Sequence, residues 1–189
     1  MLDLRIQQHF IDSADLQYQA AEPLAKPVEA GVQALLACVT SGGKVLVAGW
    51  GGTAAAAPYF ASLFVGGFER ERPELAALAL TADSPDDQCL ARQVRALGHM
   101  GDVLMVLTAT GDEAALLQAV RAAHERDMTV MALTGKGGGA LAKLLRETDV
   151  HVCVPHDRAA RIREVQQLVL HCLCDGVDAQ LLGEQELSE

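Results

Sequence analysis

Several features that define whole classes of proteins are missing from this sequence. None of its apolar runs approaches the roughly 20 residues that a transmembrane helix needs, which argues against a membrane protein. The N-terminal stretch MLDLRIQQHF lacks the apolar segment of a signal peptide. The five cysteines are an odd number without compact spacing, which favours reduced thiols over a disulfide framework. Together these absences predict a cytoplasmic protein.

Positive charge and aromatic residues are also scarce. Lys and Arg number 15 against 25 Asp and Glu, and the resulting net charge of −10 argues against direct binding to nucleic-acid phosphates. It leaves open an electrostatic contact with a basic protein. Aromatic residues make up 4% of the chain, so alanine and leucine must provide most of the core packing. Residues 1–189 are enough for one domain, and no linker divides them.

What the sequence does contain is a regular alternation of short apolar runs with helical patterns. The runs, interpreted as strands, are Val45–Ala48, Leu75–Leu80, Val103–Leu107, Thr129–Leu133 and Val150–Val154. The helical patterns lie at about 53–66, 86–97, 112–126, 139–146 and 157–183. Apolar strands that alternate with helices indicate a parallel sheet covered on both faces. The predicted fold class is therefore α/β, as a three-layer α/β/α sandwich.

The segment before the first strand predicts two helices. An amphipathic pattern covers residues 1–22, and a second helical pattern covers 27–41. Pro23 and Pro27 lie at the predicted break between them.

Two loops follow strands at the place where a ligand would bind. In open α/β sheets, ligands bind beyond the carboxyl ends of strands where the strand order reverses, between strands 1 and 3 for the order 2-1-3-4-5. The loops leaving those strands are GWGGT at 49–53 and TATGD at 108–112. Each combines glycine with threonine and opens a helix, which is typical of an anion site but also of a plain tight turn.

Five segments together carry a resemblance to a known family. They are GKVLVAGWGGTAAA, FERERP, QVRALGHMGDVLMVLTATG, MTVMALTGKGGG and ARIREVQQLVLHCLCD. These segments resemble the sugar isomerase (SIS) domain family, and within it the sedoheptulose 7-phosphate isomerases and their non-catalytic sister, the DnaA initiator-associating protein. The resemblance implies a flavodoxin-like five-stranded parallel sheet over 42–183. It also implies a homotetramer, assembled through helices in 1–41, whose ligand sites lie between subunits.

The same resemblance implies which residues would contact a sugar phosphate. The candidate ligand-binding residues are Gly49, Trp50, Gly51, Gly52, Thr53, Thr108, Thr110, Gly111, Glu113 and Arg163. His171 matches the family's catalytic histidine and is the one retained candidate for catalysis. The resemblance and the spacing of cysteines and histidines predict neither a metal site nor a cofactor.

The catalytic positions depart from the isomerase pattern. Leu63 occupies the position of the catalytic glutamate, and leucine cannot transfer a proton. Tyr59 and Gln166 replace two further histidines of the family, one of which binds metal in some members. About ten residues of the family pattern are missing between Ser84 and Arg92, which we expect to shorten one wall of the pocket.

The two loops also depart from that pattern. Trp50 replaces an asparagine, and we expect it to fill or cover the crevice, with stacking on a sugar ring as the alternative. Glu113 replaces a serine and follows Asp112, so we expect both carboxylates to cap the next helix and repel phosphate. Arg163 would offset that charge if its side chain pointed inward.

These departures favour a non-catalytic scaffold similar to the DnaA initiator-associating protein. By that resemblance the partner would be DnaA, bound by several identical sites in replication initiation. Two alternatives stay open: a divergent sedoheptulose 7-phosphate isomerase with rearranged groups, and a sensor that binds a sugar derivative.

Overall fold

The apolar runs form a five-stranded parallel sheet in the computed structural model, which describes residues 1–82 and 86–183. The strands are β1 Val45–Gly49, β2 Ala77–Ala79, β3 Val103–Leu107, β4 Thr129–Gly135 and β5 Val150–Val154. Their order is β2-β1-β3-β4-β5, so the strand order reverses between β1 and β3. The predicted α/β fold class is confirmed.

Helices cover both faces of this sheet. They are α1 Leu2–Thr40, α2 Ala56–Gly66, α3 Cys89–Leu97, α4 Ala114–Glu125, α5 Gly139–Ala142 and α6 Ala159–Leu182. Alternate residues of β1 point to opposite sides: Val45 and Val47 pack with α1, α2 and α6, whereas Leu46 and Ala48 pack with α3 and α4. Burial on both faces explains why β1 and β3 consist of apolar residues and glycine, since neither face meets water.

The prediction of two helices before the sheet is wrong. Residues Leu2–Thr40 form one continuous helix with Pro23 and Pro27 inside it. Each proline removes a backbone donor and costs about 3 kcal/mol in a helix interior. Buried Leu16 and Leu35, on either side of the prolines, join the same apolar cluster, and this packing outweighs the local cost.

Two other differences are local, and one buried contact joins residues that are distant along the chain. The strand predicted at Leu75–Leu80 shortens to Ala77–Ala79, and the helix predicted at 139–146 ends at Ala142. The His124 side chain is largely buried and lies 2.7 Å from a carboxylate oxygen of Asp149. No local pattern indicates this pair, because its members are 25 residues apart along the chain.

A buried ion pair joins the segment after α2 to the last helix. The Arg72 guanidinium contacts Asp178 of α6, and both side chains are almost fully buried. Arg72 also donates 2.9 Å to the carbonyl oxygen of Phe64 at the end of α2. Arg72 therefore connects α2 directly to α6.

The N-terminal half of α1 leaves large apolar side chains in water. They are Leu2, Leu4, Ile6, Phe10, Ile11 and Tyr18, each about half exposed or more. A shallow apolar groove between α1 and α6 continues this surface. No helix in the described ranges is long and apolar enough to cross a bilayer.

We expect the exposed apolar face of α1 to cover itself by self-association, as the homotetramer prediction requires. Light scattering should give a tetramer for the full chain, and Phe10→Asp should shift it toward smaller species because a charge cannot be buried unpaired. Gln7→Asp, on the same exposed segment, adds the same single negative charge without removing an apolar side chain. A concentration-independent monomer would contradict this prediction.

We expect loss of either member of the Arg72–Asp178 pair to lower the free energy of unfolding by about 3–5 kcal/mol, because the remaining charge is buried without its partner. The double variant Arg72→Met/Asp178→Leu should lose less than the two single variants added together. Urea unfolding measures this, with the exposed Arg95–Glu125 pair as the control, where Arg95→Met should cost no more than about 1 kcal/mol.

Candidate active site

The first loop leaves the carboxyl end of β1 and reverses direction tightly. It contains a single 3₁₀ turn, Gly51–Thr53. A Cβ atom on Gly49 would lie 2.4 Å from the carbonyl oxygen of Thr53, so no other residue fits at that position. Gly51 has a φ of +55°, which also favours glycine. The predicted turn is therefore present, and backbone crowding explains its glycines.

The Thr53 hydroxyl is committed to the protein itself. It is buried and lies 2.7 Å from the carbonyl oxygen of Leu107, the last residue of β3. It also accepts from the backbone N–H of Trp50 at 3.2 Å. The hydroxyl thus ties the first loop to the end of the neighbouring strand.

The second loop is occupied by its own carboxylate. The hydroxyls of Thr108 and Thr110 donate to the two oxygens of Glu113, at 2.6 and 2.7 Å. Thr108 Oγ1 also accepts from the N–H groups of Thr110 and Gly111, each at 3.0 Å. Both threonine hydroxyls predicted for ligand binding are therefore directed at Glu113.

The expectation that Asp112 and Glu113 both cap α4 with their side chains is wrong. Glu113 is the N-cap residue, but its side chain makes no capping hydrogen bond because the threonine hydroxyls hold it. Asp112 instead accepts from the backbone N–H of Ala140, at 2.8 Å, and so binds the start of α5. The two carboxylates serve different segments.

Trp50 does not line the cavity beside the first loop. Its side chain is half-buried against the apolar cluster on the α3 and α4 side of the sheet. The residues lining the cavity belong instead to the first loop, α2 and α6. The expectation that Trp50 fills or covers this crevice is therefore wrong, because the ring turns toward the other face of the sheet.

The cavity has a volume of about 320 Å³ and lies between the start of α2 and the first half of α6. Its lining residues are Gly52, Thr53, Ala55, Ala56, Tyr59, Arg163, Gln166 and Gln167. Among these described residues Arg163 carries the charge, and the lining includes no carboxylate. The site is therefore small, open and positive within an acidic protein.

Arg163 lines the cavity as an exposed side chain that contacts two backbone carbonyl groups, and it makes no ion pair with Asp112 or Glu113. Its Nε donates to the carbonyl oxygen of Ala159 at 3.0 Å, and Nη1 lies 3.5 Å from the carbonyl oxygen of Gly52. A Cβ atom on residue 52 would lie 2.1 Å from Nη1. The guanidinium therefore rests on the bare backbone of Gly52, and a side chain at that position would displace it.

His171 has a partner that the sequence did not reveal. The Tyr59 hydroxyl lies 2.7 Å from His171 Nε2, and the amide of Gln167 approaches the same nitrogen at 3.3 Å. The ring of Phe68 stacks on the imidazole with centroids 5.2 Å apart. Tyr59 was identified as a departure from the family and missed as a candidate, since only folding brings α2 beside α6.

The other two substituted positions have structural roles. Leu63 is half-buried and packs against the main apolar cluster, with no polar function. Gln166 is buried and donates from Nε2 to the carbonyl oxygen of Thr108 at 2.7 Å, so it holds the second loop against α6. Its Oε1 has no partner among the described residues.

Thiol chemistry has no support at this site. Burial raises the pKa of Cys174 to about 12, and burial also raises the pKa of Cys172, with Asp175 adding to that shift. Both thiols therefore stay protonated at neutral pH and are poor nucleophiles.

Burial lowers the pKa of His151, whose Nε2 lies 2.8 Å from the Thr134 hydroxyl.

Two further expectations concern metals and the shortened wall. Within residues 1–82 and 86–183, no three His, Cys, Asp or Glu side chains gather as an ion site. The predicted deletion follows Ser84, which lies outside the described residues. It remains a prediction.

Comparisons with known proteins identify the class of this fold and site. A model of the SIS domain matches residues 8–135, and the chain belongs to that family. Within the family it belongs with the phosphoheptose isomerases. The phosphoheptose isomerase of Methylibium petroleiphilum is 58% identical over 198 positions, covering 100% of this chain and 99% of the relative. That of Dechloromonas aromatica is 46% identical, covering 95% and 96%.

Solved structures agree with this assignment. The phosphoheptose isomerase of Neisseria gonorrhoeae superposes with a TM-score of 0.88 at 41% identity, covering 95% of this chain and all of that one. The enzyme of Francisella tularensis gives 0.89 at 38% identity, covering 94% and 98%. The flavodoxin-like sheet implied by the resemblance is therefore confirmed.

The prediction of a non-catalytic scaffold that binds DnaA is wrong. Relatives that match the whole chain at up to 58% identity are isomerases, which indicates an enzyme. The prediction assumed that proton transfer requires the family's glutamate position, which is Leu63 here. It overlooked the pair that Tyr59 forms with His171 in the folded protein.

The internal role of the Thr53 hydroxyl can be tested by stability alone. Thr53→Val should lower the free energy of unfolding by about 1–3 kcal/mol, because it leaves the buried carbonyl of Leu107 without a donor. Thr53→Ser keeps the hydroxyl and should stay within about 1 kcal/mol of the unmodified protein. Urea unfolding curves compare the two. Equal stability of the valine and serine variants would mean that the hydroxyl is not structural.

Proposed function

We propose that the chain catalyses aldose–ketose isomerisation of a sugar phosphate, with sedoheptulose 7-phosphate as the substrate. The observation that carries this proposal is the hydrogen bond between Tyr59 and His171, beside a cavity that Arg163 also lines. The name shared by its relatives supports the choice of a heptose phosphate.

The reaction needs two kinds of group. A proton leaves the carbon next to the carbonyl and returns to the neighbouring carbon, while another proton moves between the two oxygens. One group must therefore accept and return a proton, and another must hydrogen-bond the oxygen on which charge develops. An imidazole can do the first, because it exchanges protons near neutral pH. A phenol hydroxyl can do the second.

We assign these roles to His171 and Tyr59. Tyr59 lines the cavity, so its hydroxyl can reach the oxygen of a bound sugar. His171 lies behind it at hydrogen-bond distance and can exchange a proton with substrate or through the tyrosine. Phe68 and Gln167 hold the imidazole in place from two sides.

Leu63, at the position of the family's catalytic glutamate, is expected to lower the rate of turnover. A positioned acid or base contributes roughly 10²- to 10⁴-fold to such a reaction. Leu63 contributes none of this, so we expect slower turnover than in an enzyme that keeps the carboxylate. The homotetramer and the cytoplasmic location remain predictions within this proposal, and no specific observation favours a sugar-derivative sensor.

Turnover of sedoheptulose 7-phosphate is the direct test. The unmodified protein should form the aldose heptose phosphate, and His171→Gln should lower kcat by about 10²- to 10⁴-fold because the proton acceptor is lost. Tyr59→Phe should also lower kcat, since it removes the hydroxyl and keeps the ring.

Matched variants and the expression host supply the controls. His9→Gln and Tyr18→Phe change exposed residues of α1 and should keep full turnover. The protein should be produced in a host that lacks its own heptose phosphate isomerase. No turnover by the unmodified protein, or turnover indifferent to both His171→Gln and Tyr59→Phe, would overturn the proposal.

A further inference from the structure

The hydroxyls of the two loops are already in use before any substrate arrives. Thr53 is bonded to Leu107, and Thr108 and Thr110 are both bonded to Glu113. The Glu113 carboxylate takes both donors, as an oxyanion of a ligand would. A second anion at that place would meet a like charge at close range, which is unfavourable.

The cavity beside the first loop has the opposite character. Arg163 has no carboxylate partner among the described residues, and no acceptor there bonds its Nη2. The adjacent acid on α6, Glu164, is bonded to Ser13 and Arg161 instead. The positive charge of Arg163 is therefore left for a ligand.

The start of α2 adds a second attraction for an anion. Ala55 is the N-cap of this 11-residue helix and provides no side-chain cap. Ala55 and Ala56 line the cavity, so the positive end of the helix faces it without an internal anion. In contrast, the carboxylate of Glu113 already lies at the start of α4.

We propose that the phosphate of the substrate binds to Arg163 and the first turn of α2, over Gly52, and not to the hydroxyls of the 108–113 loop. This inference rests on the proposed function for the rest of the substrate. The ligand class is a phosphomonoester, because a dianion matches one guanidinium and a helix N-terminus.

The spacing along α6 fits a long sugar phosphate. Arg163 and His171 are eight residues apart, which is about 12 Å along a helix. In a heptose 7-phosphate, the phosphate lies at the opposite end of the carbon chain from the carbonyl. A phosphate held by Arg163 therefore allows the reacting carbons to approach Tyr59 and His171.

Phosphate binding tests this site without turnover. Calorimetric titration of inorganic phosphate into the full chain should show binding that Arg163→Gln weakens by roughly 10- to 100-fold, as expected for loss of a charged hydrogen bond. Arg163→Lys should keep part of the affinity, because it keeps the charge. Arg158→Gln changes an exposed arginine beside the same helix and should leave binding unchanged.

The glycine contact supplies an independent variant. Gly52→Ala places a methyl group on the guanidinium and should weaken phosphate binding, whereas Gly66→Ala meets no atom within 4 Å and should not. Circular dichroism and melting temperatures check that each variant is folded. In turnover assays Arg163→Gln should raise KM more than it lowers kcat, because the arginine binds the end of the substrate that does not react.

The outcomes separate this inference from the proposed function. If Arg163→Gln leaves the affinity for phosphate unchanged and Thr108→Val or Thr110→Val abolishes binding, the Arg163 site is overturned and the isomerase proposal stands. Phosphate binding that depends on Arg163, without any turnover, would overturn the isomerase proposal alone. Absence of phosphate and sedoheptulose 7-phosphate binding to the unmodified chain would overturn both.

Discussion

The site depends on one buried hydrogen bond, from the Thr53 hydroxyl to the carbonyl of Leu107. It joins the ends of β1 and β3 at the place where the strand order reverses. Gly49 allows the backbone to turn tightly enough for this bond, and α2 begins immediately after it. The bond therefore fixes where α2 starts, and with it the mouth of the cavity and the position of Tyr59. The hydroxyl that looks like a ligand group in the sequence is a structural one.

The distribution of charge around this point explains how an acidic protein keeps a positive cavity. Glu113 is bound by two threonines, and Glu164 by Ser13 and Arg161. Arg72 is likewise neutralised by Asp178 deep in the fold. Arg163 lacks such a partner among the described residues, so its field acts on the cavity. Internal pairing thus decides which charges reach a ligand.

Loss of a family residue does not by itself define loss of activity. Leu63 removes a carboxylate, and a reading position by position therefore favours a scaffold. The fold brings Tyr59 and His171 together from helices more than a hundred residues apart in sequence, near the guanidinium of Arg163. The relatives named as isomerases match the chain over its whole length. Catalytic capacity is therefore better judged from side chains that contact each other in the fold than from the residue type at a single position.

The sequence by itself determined the α/β class, the positions of the two loops and the family, and the family resemblance implied the strand order. The class and the loops follow from local patterns, because apolar runs, glycine turns and helical periodicity are properties of short segments. The tertiary structure decided the continuity of α1 through Pro23 and Pro27, the direction of Trp50 and the use of the threonine hydroxyls. It also decided the partner of His171. Each of these depends on which distant groups compete for the same contact, and a hydrogen bond or a packed ring goes to the nearest partner in space rather than along the chain.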